Sequence, residues 1–503
     1  MNPKRRVFLN SLSGMALFGG YLVIAFVLSP ILIRGLGNRD YGIWEISLSL
    51  LSYFRILDLG LGPALVRFVA AAQGAGDRTR MTAIHQSSVA VLGLVGVVNL
   101  ALFAILSRFA EPVFNVAPGD VAGLPTLVLL AGASLSVQFA GIPSLAFLQG
   151  LQRHYQVNAI RLTVYVIQSA GYYWVATDPD SPGVAGLALF LFAGNVVEYG
   201  IYTVLAFRSG YTRLAPWSIS GPLLRELYGF GFRSLTLMVA DRLRKWSMPI
   251  VIAQMVGVGH VVFFTQPAKL VDYAFTLTAY LRQPLMPYFS AVSGQRDRTA
   301  TRQAWFSMSR AMQFPALWLA LAIFFLGTPF LHRWLGEEYA REGYLIIRIL
   351  SVSLMIEAVA ATAGTMLVSL GRHGPAAKAS LLLAVVGVAG AVPLAGMYGI
   401  AGAALVLAVV NGVTAVVFLG MASRELDTTP LAFLRGTAAR LAAPLACAGV
   451  ASALAARTFP PVGYGDLVIH AGIGAIIYVA VAWRLSFSTQ ERGRLMAALQ
   501  RRS

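Results

Sequence analysis

Apolar runs of membrane length, separated by short polar loops, repeat along the whole chain. Fourteen can be laid out, near 11–33, 42–72, 84–106, 124–148, 157–176, 184–207, 227–256, 259–292, 305–331, 343–370, 376–395, 399–422, 438–456 and 465–484. A helix needs about 20 apolar residues to cross a hydrocarbon core of about 30 Å. The pattern therefore predicts an all-α polytopic membrane protein with about fourteen transmembrane helices, twelve at the least. The first run follows Lys4-Arg5-Arg6. It is too long for the core of a signal peptide and similar runs follow at once, so it reads as an uncleaved first helix.

The loops repeat as well. Asp77-Arg78-Thr79 recurs as Asp297-Arg298-Thr299, an offset of 220. Arg153-His154, after Leu148-Gln149-Gly150-Leu151, recurs as Arg372-His373 after Leu367-Val368-Ser369-Leu370, an offset of 219. Two matches in one register point to a duplicated six-span bundle, the construction many secondary transporters use. Residues 1–207 then form an N-terminal lobe (spans one to six) and 227–422 a C-terminal lobe (spans seven to twelve). Between them, 208–226 (Arg208, Arg213, Pro216, Trp217, Pro222) is a polar cytoplasmic linker. Spans thirteen and fourteen, in 423–485, are appended to these two pseudo-symmetric lobes. The tail 486–503 is basic and cytoplasmic, either an amphipathic helix on the inner leaflet or solvated charge. Within the spans, Gly60-Leu61-Gly62-Pro63 in span two and Pro284/Pro287 in span eight occupy corresponding places. Proline removes a helical hydrogen bond, and matched interruptions in the two halves of a transporter point toward its site and hinges.

Composition narrows the class. Hydrophobic residues make up 57% of the chain and charged residues 12%, with mean hydropathy +0.70, which leaves no material for a large soluble catalytic domain. The net charge of +18 raises the question of nucleic acid, and its placement answers it. With the N-terminus inside, 22 of the 39 basic residues fall in cytoplasmic segments and six outside, where Asp40, Glu111, Asp120, Asp178, Asp180, Glu337, Glu338, Glu342 and Asp466 gather. That is the positive-inside rule, with both termini cytoplasmic. Trp44, Trp174, Trp305, Trp334 and Trp483 fall near span ends, as interfacial anchors should.

Eleven basic residues remain inside the spans: Arg55, Arg67, Arg161, Arg233, Arg242, Arg244, Lys245, Lys269, Arg282, Arg310 and Arg348. Six acids share that location: Glu45, Asp58, Glu198, Asp241, Asp272 and Glu357. A charge facing lipid at the midplane costs at least about 2.5–3.5 kcal/mol. Glu45, Arg67, Arg161 and Arg310 lie near span ends and are expected to snorkel. The deeper groups sit on few helices. Arg55 and Asp58, and Lys269 and Asp272, are each three apart on one helical face, and Asp241 is within reach of Arg244 or Lys245. Mutual neutralisation accounts for some of these charges but leaves a surplus of about +5, concentrated on spans two, seven and eight. A hydrated cationic cavity of this kind suits an anionic substrate, and arginine forks suit phosphate oxygens.

No catalytic constellation is present. The six histidines have no ligand spacing, so no metal site is expected. There is no P-loop sequence, and the single Cys447 lies in an apolar run. Gly387 with Ala391 reads as helix packing.

The stretch Pro30-Ile-Leu-Ile-Arg-Gly-Leu-Gly37…Tyr41-Gly42-Ile43-Trp44, then Leu57-Asp58-Leu59-Gly60-Leu61-Gly62 and Ala64-Leu65-Val66-Arg67, resembles the opening of Wzx-like polysaccharide or O-antigen flippases. These belong to the multidrug/oligosaccharidyl-lipid/polysaccharide exporter superfamily. The second half is similar in its Asp241 before Ile250-Val251-Ile252, its Gly257-Val258-Gly259, and a span eight ending Pro287-Tyr-Phe-Ser290. The resemblance implies two six-helix lobes around a cationic cavity. It implies transfer of an undecaprenyl-diphosphate-linked oligosaccharide from the inner to the outer leaflet of the bacterial inner membrane by alternating access. By their place in the chain, Arg55, Arg233, Arg244, Lys269 and Arg282 are the candidates for the diphosphate headgroup.

Other readings stay open. A flippase for the lipid-linked peptidoglycan precursor is similar, but its relatives carry arginines in span one, which here has no charge. A major-facilitator transporter of a small solute also has two six-span halves; Gly74 to Arg80 faintly echoes its loop, with Thr79 where glycine is expected. A drug exporter of the same superfamily would want a less cationic lumen, and a membrane-embedded transferase would want a longer loop. No cofactor is expected. Coupling is open between the membrane potential and a proton or sodium cycle through Asp58, Glu198, Asp241, Asp272 or Glu357. The expected partners are the lipid-linked oligosaccharide, membrane lipid and a polymerase or ligase of the same pathway, with no nucleic acid; a monomer is expected.

Overall fold

The computed structural model describes residues 3–211, 220–295 and 297–486, without the side chains of 3–8, 11 and 230–234. The central part of the expected linker (212–219), Arg296 and the basic tail from 487 lie outside the described residues, as does the side chain of Arg233. All regular structure among the described residues is helical. The chain forms two compact units, Met1–Val262 and Phe263–Ser503.

The first unit begins with α1 (Pro3–Phe54), which folds back on itself at Gly37, and continues through a 3-10 turn at Arg55–Asp58 into α2 (Leu61–Gly74). There follow α3 (Arg78–Arg108), the short α4 (Ala110–Phe114), α5 (Leu124–Gly150), α6 (His154–Thr177), α7 (Val184–Arg208) and α8 (Gly221–Met255). α5 is the central helix, packed on α2, α3 and α7. Lipid is as apolar as leucine, so packing here rests on small residues and polar contacts rather than on the hydrophobic effect. Gly132 of α5 meets Phe103 of α3 so closely that a β-carbon would lie 2.1 Å from the phenylalanine Cβ. One turn away, Asn99 donates to Gly132 O at 3.0 Å and Ser136 Oγ at 2.9 Å. The sequence division opens the second lobe at 227; the compact unit extends to Val262 because α8 packs on α1 and α2.

The second unit contains nearly all of α9 (Val261–Arg282), then α10 (Leu285–Gly294), α11 (Arg298–Leu335), α12 (Glu337–Ser369), α13 (Gly374–Glu425, folded at Gly399), α14 (Pro430–Gly436), α15 (Ala438–Thr458) and α16 (Tyr464–Leu485). The appended α15 and α16 pack on α11, where Tyr478 stacks on Phe314 and Trp318 and donates to Phe314 O at 3.0 Å. Gly387 and Ala391 form a packing face as expected, Gly387 against Val410.

The duplication is far more extensive in three dimensions than two short strings. Asp77 caps α3 through the Arg80 N–H, and Asp297 caps α11 through those of Thr299 and Ala300. α5 and α12 end in the same turn: Arg153 N donates to Leu148 O and Arg372 N to Leu367 O, with Gln152 (φ 59°) and Gly371 (φ 68°) left-handed at equivalent places. That wrap satisfies the last carbonyls of each helix. Asn195 of α7 donates to Ser134 of α5, and Asn411 of α13 to Ser353 of α12 at 3.1 Å. Counted by the lobes of the sequence rather than by the compact units, Gly37 and Gly257 stand between the first and second spans of each lobe, and Gly183 and Gly399 between the fifth and sixth, all with positive φ.

Nine helices among the described residues are long and apolar enough to cross a membrane. Two of these are the folded α1 and α13, each presenting two limbs. α6, α8 and α9, which are richer in charged and other polar side chains, fall outside the nine. The tryptophans differ from expectation. Trp174 is exposed, but Trp44, Trp305 and Trp334 are buried. Trp305 stacks on Phe433 at 4.2 Å and joins α11 to α14 inside the second unit's core. An indole near a span end can pack inward as readily as face the headgroups, and period alone does not separate the two.

Candidate functional site

Span two is broken where its glycine cluster predicts. After the 3-10 turn, Leu59 (φ 51°) and Gly60 (φ 74°) are left-handed, and α2 starts in a new direction. Asp58 stabilises the break by accepting from the Gly60 N–H at 2.8 Å. Arg55 is exposed on the same turn. Span eight is broken correspondingly: α9 stops at Arg282 and α10 starts after Pro284. In each unit a span near its charged stretch is thus interrupted, with an arginine at the interruption.

The site residues group as follows. In the first unit Arg242, not selected from the sequence, donates from Nη1 to Ser52 O at 2.8 Å. It lies within electrostatic reach of both Arg55 and Asp58. A carbonyl at the end of α1 has lost its helical partner to the break, and the guanidinium supplies one. Asp241 is shared by Arg244 at 3.1 Å and Lys245 at 3.9 Å, the pairing that the i, i+3 and i, i+4 spacing predicts. In the second unit Arg282 donates to Thr278 Oγ1 at 3.2 Å, lies over the Phe275 ring and is within electrostatic reach of Glu357. Lys269 and Asp272 stand one turn apart on α9. Lys269 precedes Arg282 by 13 residues, about 20 Å along the helix, so the two do not form one cluster within α9.

Glu198 has a different setting. Arg161 of α6 donates from Nε to Glu198 Oε1 of α7 at 3.0 Å, and Tyr202 donates to the same oxygen at 2.9 Å. The side chains are 27% and 11% exposed. Arg161 was expected to snorkel at a span end; it is instead half of an embedded ion pair. The signal was available: residues 161 and 198 are nearly equidistant from the middle of the α6–α7 hairpin, near 180, so antiparallel packing sets them side by side. Glu45 is buried against protein, at 5% exposure. No cluster of three metal-ligating side chains occurs among the described residues.

A duplicated, all-helical bundle with charged, broken spans defines a polytopic membrane transporter rather than an enzyme. The chain belongs to the family described as "Polysaccharide biosynthesis protein", whose model matches residues 10–293. A Shigella flexneri protein named "Putative O-antigen transporter" is 19% identical over 384 residues, 70% of this chain and 83% of the relative. Among solved structures, the lipid II flippase MurJ in an inward closed conformation superposes with a TM-score of 0.72 at 13% identity, covering 94% of this chain and 98% of that one. An inward-facing multidrug resistance MATE family transporter of the MOP superfamily gives 0.68 at 15% identity, covering 82% and 94%. The fold is that of this exporter superfamily, as the opening motif of residues 30–67 implies.

Proposed function

We propose that the chain flips an undecaprenyl-diphosphate-linked oligosaccharide from the inner to the outer leaflet of the bacterial inner membrane by alternating access, with all fourteen spans crossing and both termini cytoplasmic. The observation that carries this reading is the pair of broken spans with an arginine at each break. A diphosphate is drawn to guanidinium forks, the sugars need water, and the prenyl chain stays in lipid. The headgroup set is Arg55, Arg233, Arg244, Lys269 and Arg282, to which Arg242 is added because it bridges span seven to the break in span two. The relative's name as an O-antigen transporter supports a glycan cargo.

For coupling, Asp58, Asp241, Asp272 and Glu357 are the candidates. Glu198 already has a resident cation and a phenol on its carboxylate, which favours a structural role. The membrane potential is the alternative source, worth about 2.3 kcal/mol per charge per 100 mV. The protein acts as a monomer beside the polymerase or ligase that consumes its product.

The test is lipid analysis of cells lacking the protein. Prenyl-diphosphate-linked oligosaccharide should accumulate and be cleared by the wild-type protein, but not by well-expressed Arg55→Ala or Arg242→Ala. A glycan-producing strain with no second exporter that shows no accumulation removes the reading.

A further inference from the structure

The exposed face of α12 in the second unit carries two features that the site above does not use. The first is Arg348. Its guanidinium lies 4.1 Å from the centre of the Tyr344 ring and 5.2 Å from that of Phe324. No carboxylate pairs with it among the described residues, and its buried Nε has no hydrogen-bond partner. The second is a groove of about 400 Å³ between α12 and α13, lined by Ile356, Ala408, Val409, Gly412, Val413 and Val416. Every lining side chain is aliphatic or absent, and Gly412 leaves the floor open, with Ile356 Cδ1 4.0 Å from where its Cβ would stand. An aliphatic cavity of about 150 Å³ takes one benzene, so this groove has room for a longer hydrocarbon segment.

The two features flank one exposed stripe. Tyr344, Arg348, Val352 and Ile356 recur every fourth residue on α12, and Tyr344, Val352 and Ile356 are 41–44% exposed. The stripe drifts round the helix, so Arg348 stands at its α11 edge, beside Phe324, and Ile356 at its α13 edge, about 80° round and about 12 Å along the axis. We infer that this face is a second lipid site, in which Arg348 takes the diphosphate of a polyprenyl diphosphate and the α12–α13 groove takes its isoprenoid chain. The inference rests on the proposed function.

Depth selects the occupant. α12 has 33 residues and is about 50 Å long, against a hydrocarbon core of about 30 Å. With α12 centred near Ser353, Arg348 lies about 8 Å from the midplane and Ile356 about 5 Å beyond it. Phospholipid headgroups sit at the core boundary, so a phosphate at Arg348 belongs to a headgroup in transit. A half-buried arginine at this depth is costly unless it is hydrated or paired with an anion, about 2.5–3.5 kcal/mol or more where it meets lipid. With the C-terminal end of α12 cytoplasmic, head and tail are oriented as in the outer-leaflet product. Arg348 thereby becomes a positioning residue late in translocation.

The probe is a sugar-free polyprenyl diphosphate bearing a diazirine in its chain, added to the full-length protein in phosphatidylcholine nanodiscs. Saturable labelling should map to peptides spanning 352–356 or 408–416. Arg348→Gln should weaken it at least about tenfold, the loss of a charged hydrogen bond, and Arg348→Lys should retain most of it. Val409→Phe, at an exposed position that leaves the core intact, should weaken it similarly by filling the groove. Unchanged labelling in Arg348→Gln and Val409→Phe overturns the inference, as does equal competition by phosphatidylglycerol. Saturable labelling confined to other helices overturns this site and leaves the flippase reading standing. No saturable labelling anywhere overturns both.

Discussion

Arg161 and Glu198 show how an embedded charge is made tolerable. Each satisfies the other across α6 and α7, and the single O–H of Tyr202 is shared between the carboxylate and Val157 O at 3.1 Å. Removing one partner strands the other in a poorly solvated place, which costs about 3–5 kcal/mol, whereas replacing both by apolar residues is often near neutral. Glu198→Leu and Arg161→Leu should each lower the thermal stability of the purified protein markedly, and the double variant should recover much of the loss. Additive losses in that cycle would show that the two side chains act independently. If Glu198 were a coupling group instead, Glu198→Gln would abolish transport with the melting temperature unchanged. The sequence places both residues in adjacent spans, and only the hairpin geometry makes them a pair.

At the scale of elements, the hairpins depend on backbone conformations that side chains resist. Gly399 has φ 62° and ψ −147°, in a region open essentially to glycine. Gly399→Ala should therefore cost about 1–3 kcal/mol, read as a fall of several degrees in melting temperature. Gly396→Ala is the control, because that residue is helical and its Cβ would meet nothing within 4 Å. Equal behaviour of the two variants would refute the strain argument. Element identity was legible from the sequence: apolar runs gave the helices, and the glycine and proline clusters marked the breaks in spans two and eight. The direction in which a residue faces was less so. The expected anchor Trp305 is fully buried on Phe433, since a helical period gives a face but not its neighbour.

For the whole molecule, charge placement carries a topology that labelling can check. In a Cys447→Ser background, Asp180→Cys should react with an impermeant maleimide in spheroplasts, and Arg424→Cys only after permeabilisation. Both are exposed loop-proximal positions, on opposite sides in the positive-inside arrangement. Reaction of both before permeabilisation would break the fourteen-span topology. The sequence by itself determined the class: membrane-length helices, a duplicated bundle and a surplus of embedded cations all follow from composition and period, because the bilayer admits few alternatives. The tertiary structure decided the pairings. That Arg242 supports the broken end of α1, that α8 joins the first unit, and that Arg348 and an aliphatic groove flank one exposed stripe depend on contacts between residues remote in the chain, which local pattern does not encode.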